Sequence, residues 1–198
     1  MAEEVSDNEL MVRIVAREEE AFRMLVERHQ DRVYGTVVRM LGKPGPEAEE
    51  AVQDIFLRVW RSAGTYRAEG RFTTWLMTVL RNQLFTRMEQ KGRREDIDGE
   101  DVVDPETGES LMESQPEQVG KSPIEMLAYK ELEKAVAQAC AQLPKNQRLV
   151  IHLRQYEGMD LQEIGEVTGM SLTAVKALMF RARESLKKKL SGYLTASK

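Results

Sequence analysis

The sequence predicts an all-α protein: two small helical domains joined by a flexible acidic linker. Three observations predict it. Apolar residues recur at helical spacing in both halves, strand-like alternation is absent throughout, and a stretch with neither pattern lies between the halves. The boundaries fall at residues 7–92, 93–123 and 124–194. With 198 residues, 41% of them hydrophobic, the chain is long enough for one or two domains with their own cores.

In the first domain, Phe22, Leu25, Val26, His29, Val33 and Val37 trace one face of a helix that stops near Gly42, Lys43, Pro44, Gly45 and Pro46. Val52, Ile55, Phe56, Val59 and Trp60 repeat at i, i+3, i+4, i+7 and i+8, which predicts a second amphipathic helix. Its opposite face carries Glu50, Gln53, Asp54, Arg58 and Arg61. A third helix begins near Phe72 and turns Trp75, Leu76, Val79, Leu80 and Leu84 inward. The loop before it, residues 64–72, holds two aromatics and two arginines. Tyr66 and Phe72 offer stacking surfaces to unpaired bases, Arg67 and Arg71 can hold phosphates, and Asn82 can pair with a base edge. The alternative for the same residues is that the rings seal the core and the arginines are solvated.

The net charge of -4 conceals a partition. Residues 1–9 carry four acids and no base; residues 10–94 carry sixteen Lys/Arg against eleven Asp/Glu. Residues 95–120 carry ten acids and no base, and residues 121–198 carry thirteen bases against eight acids. Two basic modules therefore flank a polyanion, so an acidic overall balance does not exclude nucleic-acid binding, which depends on the local field. The connector is poor in aromatics and rich in Gly, Pro, Ser and acids. Such a segment buries too little apolar surface to offset its ordering entropy, and reads either as a solvated spacer or as an occupant of a basic channel.

The second domain carries the most informative stretch, DLQEIGEVTGMSLTAVKALMFRARESLKKKL. Leu161, Ile164 and Val167 define one helix, in which Gly165 leaves room for a neighbouring helix. Gly169 suits a tight turn, and Ser171 can cap the following helix, with Val175, Met179, Ala182 and Leu186 inward. Thr173, Lys176, Ala177, Phe180 and Arg181 then face outward near that helix's start, the end that enters the major groove in a helix-turn-helix. The chemistry indicated is sequence-specific DNA binding. Arg183, Lys187, Lys188 and Lys189 form a basic helix end that favours the helix dipole and suits phosphate.

Other chemistries lack support. The lone Cys140 excludes an internal disulfide and a cysteine metal framework; it falls on a Leu132, Val136, Cys140, Leu143 stripe and reads as a buried small hydrophobe. His29 and His152 accompany no ligand cluster and read as surface or partly buried side chains, so no metal or cofactor is expected. Trp60 and Trp75 read as core anchors, and the eleven methionines as adaptable packing. No nucleophile–base pair or phosphate-binding glycine loop suggests catalysis, and no residue is assigned a catalytic role. No apolar run approaches membrane-spanning length and the N-terminus is acidic, so a cytoplasmic protein without membrane insertion is expected.

Two segments together, EEAVQDIFLRVWRSAGTYRAEGRFTTWLMTVLRNQL and LPKNQRLVIHLRQYEGMDLQEIGEVTGMSLTAVKALMFRARESLKKKL, resemble regions two and four of the bacterial extracytoplasmic-function sigma factors of the sigma-70 family. The resemblance runs from about Asp7 to Leu190, connector excepted. It implies a non-enzymatic transcription-initiation subunit, used in stress responses, that directs core RNA polymerase to promoters and helps open the DNA. Gln53, Asp54, Arg58 and Arg61 would dock on the coiled coil of the largest polymerase subunit, with the flap as a further contact. The loop from Thr65 through Tyr66, Arg67 and Arg71 to Phe72, with Asn82, would capture an unpaired base of the minus-ten element on the non-template strand. Thr173, Lys176, Ala177, Phe180 and Arg181 would read the minus-thirty-five duplex.

Many family members have a serine and an arginine where this chain has Ala177 and Leu178, so direct base readout is reduced and DNA shape weighs more. The resemblance further implies that the connector threads the polymerase channel, its carboxylates standing in for phosphates until nascent RNA displaces them. An anti-sigma factor is an implied partner, with the modules compact when inhibited and spread on polymerase. An alternative uses the second domain alone: a stand-alone helix-turn-helix regulator whose N-terminal helices sense a ligand or dimerise.

Overall fold

In a computed structural model, residues 5–92 and 123–195 are described, all of them helix, turn or loop. The connector expected at 93–123 lies outside the described residues except for its last position. On its N-terminal side stand α1 (Asp7–Val15), α2 (Glu19–Leu41), α3 (Pro46–Ser62), a single 3₁₀ turn (Ala63–Thr65) and α4 (Phe72–Gly92). On its C-terminal side stand α5 (Pro123–Ala141), α6 (Lys145–Gln155), α7 (Leu161–Thr168) and α8 (Leu172–Thr195).

The helix ends follow local chemistry. Ser6 and Glu9 form a reciprocal capping box at α1: Ser6 Oγ accepts from the Glu9 amide at 3.3 Å, and Glu9 Oε2 accepts from the Ser6 amide at 2.8 Å. Leu10, Met11 and Ile14 then bury one face of α1. Gly42 ends α2 in the left-handed region, φ +80°, where a side chain would be strained. Pro46 opens α3, where its missing N–H is harmless. In the second group, Asp160 and Glu163 form another capping box at α7, and Gly169 turns the chain at φ +70°.

Gly165 serves differently from the sequence expectation. A Cβ there would lie 3.0 Å from the Met170 carbonyl oxygen, so the missing side chain admits the chain's own turn, not a neighbouring helix. The α5 stripe is also rotated: Ala135, Ala139 and Leu143 are buried, Leu132 is exposed and Cys140 is half-buried. Small alanines there let α5 approach α2 and α8 closely.

The two helical groups pack directly on one another. α7 lies against α4, and α5 and α6 lie against α2. Arg148 reaches across to donate to the carbonyls of Met40, Ala141 and Leu143, closing the C-terminal ends of α2 and α5. Beside it sits a buried polar network. His152 Nε2 is 3.0 Å from Thr36 Oγ1, and the Glu157 carboxylate is 3.4 Å from His152 and 2.8 Å from Arg32. Tyr156 is stacked on His152 (centroids 5.3 Å apart) with the Arg39 guanidinium 4.2 Å from its centroid. Both histidines are therefore buried side chains, His29 under the first group and His152 at this interface.

Candidate nucleic-acid and partner interfaces

The loop between α3 and α4 rests on an aromatic floor. Phe72, only 5% exposed, packs against His29 (5.0 Å between centroids), Tyr66 (5.9 Å) and Trp75 (6.0 Å). Its ring therefore supports the loop from below and is not presented to a ligand. Tyr66 and Trp75 are half-buried, edge to face at 5.5 Å, and form the accessible aromatic pair. Burial and the nearby Asp7 charge push the Tyr66 phenol up, so it stays a neutral donor. Thr65, Arg67 and Arg71 are exposed, with the Thr65 hydroxyl donating to the Ser62 carbonyl at 2.7 Å.

Asn82 is exposed and accepts from Arg81 at 2.9 Å. It lies two turns beyond Trp75, about 10 Å along the helix axis. Arg71 is engaged across the module boundary, 3.1 Å from the Glu163 carboxylate on α7. No pattern in the sequence marks Glu163 for this role, because the pairing exists only once α7 docks on α4.

The outer face of α3 exposes Gln53, Asp54, Arg58 and Arg61 together, as the helical spacing predicts. Two features were not legible in that pattern. Leu57, 49% exposed, stands among the charges and makes the face amphipathic. Arg87 of α4 reaches over to Asp54 at 3.3 Å and to Glu50, fixing the acidic side chains against the helix pair.

At the start of α8, Ser171 Oγ accepts from the Ala174 amide at 3.2 Å, as a cap does. Thr173, Lys176 and Phe180 are exposed, while Ala177 and Arg181 are half-buried. Leu172 is exposed as well and shares a stripe with Lys176 and Phe180 at i, i+4 and i+8. The face is thus two apolar side chains flanking one cation. Leu178 packs partly against the core. This arrangement suits apolar contact with thymine methyls and a single anchoring phosphate contact more than it suits a dense hydrogen-bonding readout.

Among the described residues no helix is long and apolar enough to cross a membrane. Residues 25–94 match the family profile of Sigma-70 region 2, and residues 133–186 match that of Sigma-70, region 4. The chain is 32% identical over 193 residues to the ECF RNA polymerase sigma-E factor of Haemophilus influenzae, covering 96% of this chain and 98% of that protein. It is 29% identical over 197 residues to the RNA polymerase sigma-H factor of Pseudomonas aeruginosa, covering 98% of each. Among solved structures, the sigma factor RpoE of Bartonella quintana, in complex with the anti-sigma factor NepR, superposes with a TM-score of 0.61 at 23% identity, covering 86% of this chain and 96% of that one.

Proposed function

The chain belongs to the extracytoplasmic-function sigma factors of the sigma-70 family, and on that premise we propose a division of labour between its faces. As a sigma factor it works with core RNA polymerase in the bacterial cytoplasm, recognises promoters and promotes opening, and carries out no chemistry of its own. Residues 7–92 form the unit that meets polymerase and the minus-ten element, and residues 124–194 the unit that meets the minus-thirty-five element. The exposed face of Gln53, Asp54, Arg58 and Arg61 docks on the coiled coil of the largest subunit, Leu57 adding an apolar contact and the charges orienting the polar interface.

Tyr66 and Trp75 stack unpaired non-template bases, Thr65, Arg67 and Arg71 hold the backbone, and Asn82 pairs with the edge of a captured base. Phe72 acts by supporting that platform. Binding energy for the unpaired strand shifts the duplex toward the open state. Thr173, Lys176, Ala177, Phe180 and Arg181 read the upstream duplex, with Leu172 extending the apolar stripe. Arg71, paired with Glu163 in the packed arrangement, exchanges that carboxylate for a phosphate on strand capture; its side chain is 69% exposed, so the exchange costs little. An anti-sigma partner is proposed for the same faces, on the analogy of the sigma–anti-sigma complex with the same fold. The passage of the acidic connector through the polymerase channel belongs to the same proposal and concerns residues outside those described.

The observation that carries the reading is the conjunction, in one chain and in this order, of an exposed charged α3 face, an aromatic–arginine loop and an exposed helix-turn-helix face. Transcription of genomic fragments by core polymerase, with and without the full chain, tests it. Discrete new start sites, lost on Asp54→Lys or on removal of residues 124–198, are expected. Tight duplex binding without polymerase association or new starts would instead establish the stand-alone regulator.

A further inference from the structure

The first helix has no part in the division of labour above and lies outside the residues that match the family profile, which begin at residue 25. Yet its first turn reaches both the loop of the minus-ten reading and the floor beneath it. Asn8 Oδ1 accepts the hydrogen bond donated by the Tyr66 hydroxyl. Asp7, one residue earlier, pairs with Arg28 at 2.7 Å and lies 3.1 Å from His29 Nε2, whose ring packs on Phe72. The body of α1 also packs against the 3₁₀ turn that leads into the loop. The capping box of Ser6 and Glu9 fixes the turn that carries both side chains.

This arrangement matters because the Tyr66 ring, packed on Phe72 and Trp75, has its hydroxyl end fixed by Asn8, while the middle of the loop is exposed. Gly64 and Gly70 bracket it, each with open space where a side chain would stand, and Thr65, Arg67, Ala68 and Glu69 are all exposed. Glycines at both ends leave many loop conformations open, so a platform for an unpaired base would lose affinity to the entropy of ordering it. The Tyr66 hydroxyl is the far end of the ring, and a partner there restrains the ring plane as well as its position.

We propose that Asn8 is a positioning residue for promoter opening: by accepting the Tyr66 hydroxyl it holds the stacking platform in its base-binding geometry, with Asp7 and His29 fixing the turn from which it acts. The inference rests on the proposed capture of the non-template strand by this loop. Asn8 itself touches neither DNA nor polymerase in it.

The test uses the full chain with core polymerase and compares Asn8→Ala, Asn8→Asp, Tyr66→Phe and the double variant Asn8→Ala/Tyr66→Phe. A neutral hydrogen bond of this type implies an effect of about fivefold. Asn8→Ala is expected to weaken binding of a single-stranded minus-ten oligonucleotide about fivefold and to shorten open-complex lifetime comparably. Affinity for core polymerase and for minus-thirty-five duplex should stay unchanged. Asn8→Asp, which keeps the acceptor, should retain wild-type capture, and the double variant should be no worse than Tyr66→Phe alone. Equal loss of polymerase affinity and strand capture would reduce Asn8 to a general stability role and overturn the proposal. So would additive effects in the double variant.

A second measurement needs no DNA. Trypsin cleavage after Arg67 should accelerate several-fold in Asn8→Ala and not in Asn8→Asp. Unchanged cleavage overturns the anchor itself. If the wild-type chain captures no single strand while cleavage responds as expected, the anchor stands and the strand-capture reading is what fails.

Discussion

Glu157 offers the most direct test of how the two helical groups are held together. Its side chain is 4% exposed and is shared by Arg32 and His152 across or along the interface, with Thr36 donating to it at 3.3 Å. Burial pushes its carboxyl up, but the hydrogen bond to His152 and the charge of Arg32 outweigh this and hold it below the ordinary value of 4.5. Breaking a fully buried ion pair is destabilising by roughly 3–5 kcal/mol. Arg32, 40% exposed, rehydrates once its partner is gone, and Thr36 keeps the Arg32 carbonyl at 2.9 Å, so His152 is the buried group that loses a partner. Glu157→Ala should therefore destabilise the packed arrangement by about 2 kcal/mol, or about 30-fold in the ratio of packed to separated modules. Dyes at Gln30→Cys and Gln138→Cys in a Cys140→Ser background would report the separation by energy transfer. Because the folded carboxyl titrates below its unfolded value, the contribution is complete above pH 4.5 and is lost as the pH falls through the lower folded value. Energy transfer that is identical in wild type and Glu157→Ala, with the same acid response, would refute the network as the element that holds the modules.

Three further outcomes are expected. Arg148→Ala leaves the Met40, Ala141 and Leu143 carbonyls without their donor and should lower unfolding stability in urea by about 2–3 kcal/mol; a midpoint unchanged from wild type would contradict the bridging role. Gly165→Ala pushes a Cβ against the Met170 carbonyl and should weaken duplex minus-thirty-five binding by roughly tenfold while polymerase affinity holds, as measured by fluorescence anisotropy. Asp54→Lys replaces the partner of Arg87 with a like charge and should lower core polymerase affinity at least about tenfold without altering duplex binding; an equal loss of both would indicate misfolding instead.

Much of the architecture was legible because its signals are local. The α2, α3 and α4 stripes, the Gly42 stop and the Gly169 turn depend on residues within one helical turn of each other, and the backbone follows them. The first helix was legible too and was not assigned: Ser6 followed by Glu9 is a capping box, and Leu10, Met11 and Ile14 complete its buried face. The errors share a cause. Gly165 was read as space for another helix when the nearest atom belongs to its own turn, and the α5 stripe was drawn through Leu132 and Cys140 when alanines occupy the contact. Periodicity marks which residues share a face, but two adjacent faces of a helix rich in alanine look alike until the partner helix is known. Site residues divide the same way. Exposure of the α3 charges follows from spacing, whereas Glu163 on Arg71, Arg87 on Asp54 and Asn8 on Tyr66 join residues remote in sequence.

The chemistry of the contact between the modules also bears on how it can work. An obligate interface is expected to be chiefly apolar, with few buried charges. Here the contact of α2 with α6 and the turn after it contains Thr36, His152, Glu157 and Arg32, and Lys145 lies 3.0 Å from Glu89 at another point along the boundary. Such groups contribute little net stability when buried, because desolvation offsets most of their attraction, yet they tolerate only one register. On separation these polar groups regain water, while the apolar core that the two helical groups share, with Val37, Met40 and Leu84 on one side and Leu149, Leu153 and Ile164 on the other, is divided. A surface built in this way closes in one defined arrangement, and its opening also parts Arg71 from Glu163. The shared apolar core thus supplies the attraction between the modules, and the polar network, costly to leave half-paired, selects the single register in which they pack.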